Sequence, residues 1–243
     1  MTAIGDVPIG PTDPVPTDPA ERTAAFIAFL VRCGAVRFGD FVGKSGRRMP
    51  YFVDLGQVHT GRQLATLGRF YASAIDARFG DDVDIVFGPA YKGIPLAVAA
   101  ASALADIRGR DVGVCFDRKE AKDHGEGGDL VGQRPTAGDR IVIVEDVTTA
   151  GTSVRATVPV LEGLGDVEVV GLVVGVDRRE RGTTDEAALD ELAHTYSLAT
   201  VALATIDDIV AQLRDQDVDG RRVLGEADLE RIAAYRAEHG PTP

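Results

Sequence analysis

The spacing of apolar residues changes several times along the chain, and each change marks an element. Asp18-Pro19-Ala20-Glu21 is a helix start: Asp caps, Pro fits the first helical position, and Glu three residues after the cap completes a capping box. Phe26, Ile27, Leu30 and Val31 then share one helical face, and Gly34 is placed to end it. Two short strand-like runs follow at 35–42 and 51–55, separated by the turn-rich Gly43-Lys44-Ser45-Gly46. Residues 62–79 return to helical spacing, with Leu64, Leu67, Tyr71, Ala74 and Ile75 on one side.

From there an α/β rhythm sets in. Strands are predicted at 83–87, 112–116, 141–144, 167–176 and 198–203. Helices are predicted at 94–105, through Val154, Val158, Leu161 and Leu164, at 185–195, and as a closing pair at 206–217 and 226–238. Uninterrupted apolar strands between amphipathic helices imply a mostly parallel sheet flanked by helices. The expected organisation is one α/β domain over 18–243, in which 18–60 form a small N-terminal helix-hairpin subdomain. Residues 1–17, with Pro8, Pro11, Pro14 and Pro16, read as a flexible arm.

One stretch fits neither period. Residues 118–134 read RKEAKDHGEGGDLVGQR, with Gly125, Gly127, Gly128 and Gly132. A structureless loop of this length inside a compact domain is usually a lid or a binding loop. Its Arg118, Lys119, Lys122 and Arg134 are matched by Glu120, Asp123, Glu126 and Asp129, so charge alone does not single it out.

Composition adds exclusions. Net charge is -12, which repels nucleic acid and anionic membranes and leaves any anion site dependent on locally gathered cations. The longest apolar run, 94–105, is far short of the ~20 residues of a membrane span. Cys33 and Cys115 are too few and too far apart for a disulfide framework or a zinc site, and read as small hydrophobes. The first basic residue is Arg22, so no basic n-region of a secretory signal precedes it, and the expected location is cytoplasmic.

The strongest chemical motif runs from the apolar strand 141–144 into Glu145-Asp146-Val147-Thr148-Thr149-Ala150-Gly151-Thr152-Ser153. A helix opening at Thr152 or Ser153 offers free N–H groups and a positive dipole end to a phosphate monoester. Gly151 lets the backbone approach, and Thr149, Thr152 and Ser153 supply hydroxyls. Two carboxylates repel a phosphate but accept hydrogen bonds from a diol, so the run fits a ribose 5-phosphate. Competing phosphate motifs fail on spacing. A Walker A loop ending at Ser45 needs Gly where Phe38 stands, and neither Gly125 nor Gly163 starts a dinucleotide fingerprint.

Residues 143–152 resemble the phosphoribosyl-diphosphate signature of type I phosphoribosyltransferases. Phe87-Gly88-Pro89-Ala90-Tyr91-Lys92-Gly93, the 117–127 run, Lys44-Ser45-Gly46-Arg47 and Asp177-Arg178-Arg179-Glu180-Arg181-Gly182 narrow the resemblance to orotate phosphoribosyltransferases over about residues 20–239. The resemblance implies transfer of a 5-phosphoribosyl group from phosphoribosyl diphosphate to orotate in pyrimidine synthesis. It assigns catalysis to Lys119, Lys122, His124 and Asp146. Phosphoribosyl diphosphate would meet Lys44, Tyr91, Lys92, Arg118, Lys119, Lys122, His124, Glu145, Asp146, Val147, Thr148, Thr149, Ala150, Gly151, Thr152 and Ser153. Orotate would meet Lys44, Phe52, Val53, Thr149 and Arg178. Mg²⁺ is implied as a cofactor held mainly by substrate and water, with no direct protein ligand. The same resemblance implies a homodimer in which the 118–134 loop serves the neighbouring subunit's site.

Two departures from the family pattern stand out: Val53 where a second aromatic is common, and Glu145 where Asp is frequent. The alternatives are a purine or uracil phosphoribosyltransferase on the same scaffold and a phosphoribosyl-diphosphate-sensing regulator. Arg178 and Lys44 argue against a neutral base, and Lys119, Lys122 and His124 against loss of catalysis.

Overall fold

The protein is described as a computed structural model covering residues 14–43, 46–118 and 130–242. It opens with helix α1 (Pro19–Arg32), where the Asp18 carboxylate accepts the Glu21 N–H at 2.9 Å. A separate antiparallel hairpin follows, β1 (Val36–Val42) and β2 (Arg48–Val53), and then helix α2 (Gly61–Phe79). β2 stops at Val53 because the Asp54 side chain accepts the Gly56 N–H at 3.0 Å and caps a short 3-10 turn, Leu55–Gln57, where a strand residue was expected. Val15, in the expected arm, packs against the core.

The main sheet has the order β5-β4-β3-β6-β7-β8. Its strands are β3 (Ile85–Phe87), β4 (Gly113–Asp117), β5 (Leu130–Gly132), β6 (Arg140–Thr148), β7 (Glu168–Asp177) and β8 (Ala199–Thr205). All neighbouring pairs are parallel except the edge pair β4–β5. Between the strands run α3 (Gly93–Arg108), α4 (Thr152–Glu162) and α5 (Ala188–Tyr196); α6 (Ile206–Asp215) and α7 (Glu226–His239) close the chain.

Strand alternation divides the core in two. Val86, Val142, Val144 and Val173 face the layer built on α1, α2 and α3. Ile85, Phe87, Ile141, Ile143, Leu172 and Val174 face Val154, Val158 and Leu161 of α4 and Leu189 and Leu192 of α5. Both faces being buried accounts for the unbroken apolar runs. Cys115 is buried in the second layer, Cys33 is half-buried, and both are free thiols.

Three expectations are corrected. β5 lies inside the segment read as wholly structureless: Leu130 and Val131 pair with β4, a strand too short to show a period. β6 continues to Thr148, because β7 runs beside it to Asp177, so the acid pair lies within a strand and not in a turn. Helix α5 begins at Ala188 and not at 185, because the Glu191 carboxylate takes the N–H groups of Thr183 (2.7 Å) and Thr184 (3.2 Å) and holds that segment outside the helix.

Helices α2 and α3 pack so closely that a Cβ on Gly68 would sit 2.3 Å from the Ala99 carbonyl oxygen. Gly68→Ala is therefore expected to destabilise the fold by about 1–3 kcal/mol, roughly 2–12 °C in melting temperature. Gly61→Ala, where a Cβ meets nothing within 4 Å, should change it little; thermal unfolding of the two variants side by side is the check.

Candidate active site

The carboxyl ends of β3 and β6 open into a cleft of about 410 Å³. Pro89, Ala90, Tyr91 and Lys92 form one wall, and the other is built from Glu145 to Thr149 and from Gly151 to Val154. Open α/β sheets bind ligands at this end of their strands. The 88–93 loop closes tightly on itself, since a Cβ on Gly88 would lie 2.1 Å from the Gly93 carbonyl oxygen. The Ala90 N–H donates to the Asp117 carboxylate at 2.5 Å, tying this loop to the end of β4. Tyr91 is exposed, and Arg118 follows β4 half-buried.

Across the cleft the chain turns from β6 into α4 through Gly151, at φ +69° in the left-handed region, where a Cβ would also strike Leu192 at 2.7 Å. No side chain among the described residues caps α4, so its first N–H groups are available to an anion. Thr149 and Ala150 are exposed at the turn, and Ala150 alone of residues 145–153 does not line the cleft. The Ser153 hydroxyl is engaged by the Glu145 carboxylate and so is not an idle phosphate donor.

Asp146 receives the Lys92 ammonium at 2.7 Å, and Lys92 also reaches Asp54 at 3.2 Å. Burial disfavours charge on Lys92, but the hydrogen bonds and charges of Asp146 and Asp54 outweigh it and raise its pKa. Glu145 is shifted upward as well, for a different reason. Burial, with the neighbouring Asp146 charge, lifts its pKa above the ordinary value despite the Ser153 hydrogen bond. The fully buried Tyr71 hydroxyl on α2 donates to the Glu145 carbonyl at 2.6 Å and fixes the strand there.

A second cluster stands beside this cleft. Thr148 and Asp177 are opposite each other at the ends of β6 and β7, and the Arg178 N–H approaches the Thr148 carbonyl at 3.4 Å. The Arg178 guanidinium is largely buried over the Tyr51 ring, 5.1 Å from its centroid, and meets the Glu180 carboxylate at 2.5 Å. Glu180, 4% exposed, also takes Tyr235 at 2.9 Å, Tyr51 at 3.3 Å and Arg47 at 3.2 Å. Arg178 Nε is buried with no acceptor among the described residues.

The sequence-derived residues that are described do not all meet in one place. Tyr91, Lys92 and all of 145–153 except Ala150 share one cleft. Arg178 stands at the adjoining strand end in contact with Tyr51, Glu180 and Tyr235, none of which was assigned a role from the sequence. Phe52 and Val53 point to opposite faces of β2, and Phe52 turns toward Phe41 (5.7 Å between ring centroids) and Arg37, while Tyr51 is the aromatic that meets Arg178. Lys44, Lys119, Lys122 and His124 lie outside the described residues. Glu180 sits in the quoted 177–182 run, a signal that pointed to it; Tyr235 carried none.

The chain matches the phosphoribosyl transferase domain family over residues 54–198. It is 47% identical over 215 residues to the orotate phosphoribosyltransferase of Clostridium acetobutylicum, covering 88% of this chain and 96% of that protein. Among solved structures it resembles the orotate phosphoribosyltransferase of Francisella tularensis, with a TM-score of 0.74 and 32% identity, over 89% of this chain and 99% of that one. It also resembles the Mycobacterium tuberculosis enzyme solved with 5-phospho-α-D-ribosyl 1-diphosphate, with a TM-score of 0.57 and 26% identity, over 80% of this chain and 99% of that one. A mostly parallel sheet that ends in an acid pair and an uncapped helix, in a sequence 47% identical to such an enzyme over 215 residues, places this chain in the phosphoribosyltransferase family, among the orotate phosphoribosyltransferases.

Proposed function

We propose that this chain transfers the 5-phosphoribosyl group of phosphoribosyl diphosphate to N1 of orotate, giving orotidine 5′-phosphate and diphosphate for pyrimidine synthesis. The observation that carries the reading is the continuity of β6 with α4: a carboxylate pair for a diol runs directly into an uncapped helix start for a phosphate. The 5-phosphate takes the first N–H groups of α4 with the Thr149 and Thr152 hydroxyls. Glu145 and Asp146 accept hydrogen bonds from the ribose hydroxyls.

Breaking the C1–O bond leaves a ribosyl centre of oxocarbenium character and a multiply charged diphosphate. Lys92, with Arg118, Lys119, Lys122 and His124, stabilises that departing charge, an effect worth about 10²–10³ in rate per well-placed donor. Orotate N1 then bonds to C1 as its N1–H proton passes to the departing diphosphate or to solvent, and no protein nucleophile is needed because positioning and electrostatics carry the rate. The 118–134 loop excludes water from the ribosyl centre and, in a homodimer, reaches the neighbouring subunit's cleft.

Among the described residues no group of three or more His, Cys, Asp or Glu is placed to cage a metal. The residues present nonetheless fit Mg²⁺, which is normally held by one or two carboxylates, substrate phosphates and water. Bound there it would neutralise diphosphate charge. At the base end, the planar guanidinium of Arg178 takes the orotate carboxylate, with Lys44 and Thr149 beside the ring. No helix among the described residues is long and apolar enough to cross a membrane.

The deciding experiment follows diphosphate release from phosphoribosyl diphosphate and Mg²⁺ with orotate, uracil, hypoxanthine or guanine. Release with orotate alone is expected. Release with another base discards the base assignment, and silence with all four while phosphoribosyl diphosphate still binds points to a regulator. Arg178→Ala should raise the orotate KM about 10–100-fold, the loss of a charged hydrogen bond, while sparing the KM for phosphoribosyl diphosphate. Steady-state kinetics with each substrate varied in turn read this out.

The raised pKa of Glu145 gives a pH prediction. With its folded pKa above the unfolded one, its contribution to stability is full below the unfolded pKa and is lost as pH rises through the folded pKa. Glu145→Gln should therefore raise the melting temperature more at pH 8 than at pH 4 while lowering turnover. Equal shifts at both pH values would contradict it.

A further inference from the structure

We infer that Tyr235, on the C-terminal helix α7, is a positioning residue for the base carboxylate: its hydroxyl holds Glu180 so that the Arg178 guanidinium stays open to a second carboxylate, the substrate's. The inference rests on the assignment of Arg178 to orotate made above.

An arginine already paired with a buried carboxylate is a poor receptor for another, because the internal acid competes for the same donors. Here the competitor is Glu180, whose Oε1 lies 2.5 Å from Arg178 Nη2. That oxygen is shared: the Tyr235 hydroxyl donates to it at 2.9 Å and the Tyr51 hydroxyl at 3.3 Å, while Arg47 Nη1 holds the other oxygen at 3.2 Å. Each added donor spreads the charge of Glu180 and weakens its hold on Arg178. The guanidinium is also held directly, its Nη2 donating to the Tyr235 hydroxyl at 3.4 Å and to Met49 Sδ at 3.2 Å, while its buried Nε has no acceptor among the described residues.

Helix α7 is held where this role requires it. Arg236 donates to the carbonyls of Arg178 (3.2 Å) and Arg179 (3.1 Å), and also to Asp207 at 2.9 Å. The Arg181 N–H donates to the His239 carbonyl at 3.0 Å, and the His239 ring meets Tyr235 edge-on at 4.5 Å. The helix therefore grips the backbone of the 178–181 loop while Tyr235 attends to its side chains. Tyr235 does not line the phosphate cleft, so its influence should fall on the base alone.

The test is Tyr235→Phe in the full chain, which keeps the ring and removes only the hydroxyl. The orotate KM should rise roughly tenfold, the scale of one hydrogen bond to a charged group, with kcat and the KM for phosphoribosyl diphosphate within about twofold. Tyr51→Phe should act in the same direction and more weakly, as its hydroxyl is farther from Glu180. In an Arg178→Ala background, Tyr235→Phe should add less than about twofold, since the two act in one chain. A parallel change in kcat and both KM values would mean a merely structural role and overturn the inference. If Arg178→Ala raises the orotate KM but Tyr235→Phe does not, the inference fails alone. If Arg178→Ala itself leaves the orotate KM unchanged, the base assignment fails first and takes this inference with it.

Discussion

The parallel register of β6 and β7, unbroken from Val142 opposite Gly171 to Thr148 opposite Asp177, is the constraint on which the site depends. Adjacent strands lie ~4.8 Å apart, so two chains that finish level deliver their next residues side by side. One delivers the acid pair and the turn into α4, the other delivers Arg178 and Glu180. Gly175 makes this possible from within the sheet. A Cβ there would sit 2.7 Å from both the Tyr71 hydroxyl and the Asp146 carbonyl oxygen, so only glycine lets α2 brace the strand at its catalytic end.

Charge is distributed against the overall balance. A chain with net charge -12 that takes a polyanion in this cleft, as proposed above, relies on locally gathered cations and on backbone donors, which carry no formal charge and repel nothing. The acid pair is the counterpart. Lys92 pairs with Asp146 at 2.7 Å, which leaves Glu145 to carry the burden of burial, seen in the upward shift of its pKa. One carboxylate of the pair is thus ion-paired, while burial disfavours the charge of the other.

Local signals made most of the fold legible. Period-two and period-3.6 patterns are written in consecutive residues, and the parallel strands, α1 to α3 and the opening of α4 at Thr152 followed from them. What escaped depends on partners far along the chain. β5 exists because β4 offers it an edge, and β6 runs to Thr148 because β7 accompanies it. In the site, 145–153 was legible because strand, acids, hydroxyls and glycine adjoin one another. The base end was only half legible. Arg178 stood out by charge, but Tyr51 and Tyr235, 129 and 55 residues from Glu180, converge on it only after folding. Phe52 and Val53, which the resemblance assigned to the base, alternate across the strand and so point to opposite faces.

The matched phosphoribosyl transferase region ends at residue 198, and Tyr235 and Arg236 lie beyond it, as Arg47 and Tyr51 lie before its start at 54. The 145–153 run proposed for ribose and phosphate is therefore inside the common scaffold, and much of what braces Arg178, the residue proposed for the base, is wrapped around it from either flank. Such a division separates two evolutionary pressures. Preference among bases can drift through changes in the wrapping, while the inner chemistry of the sugar phosphate stays untouched.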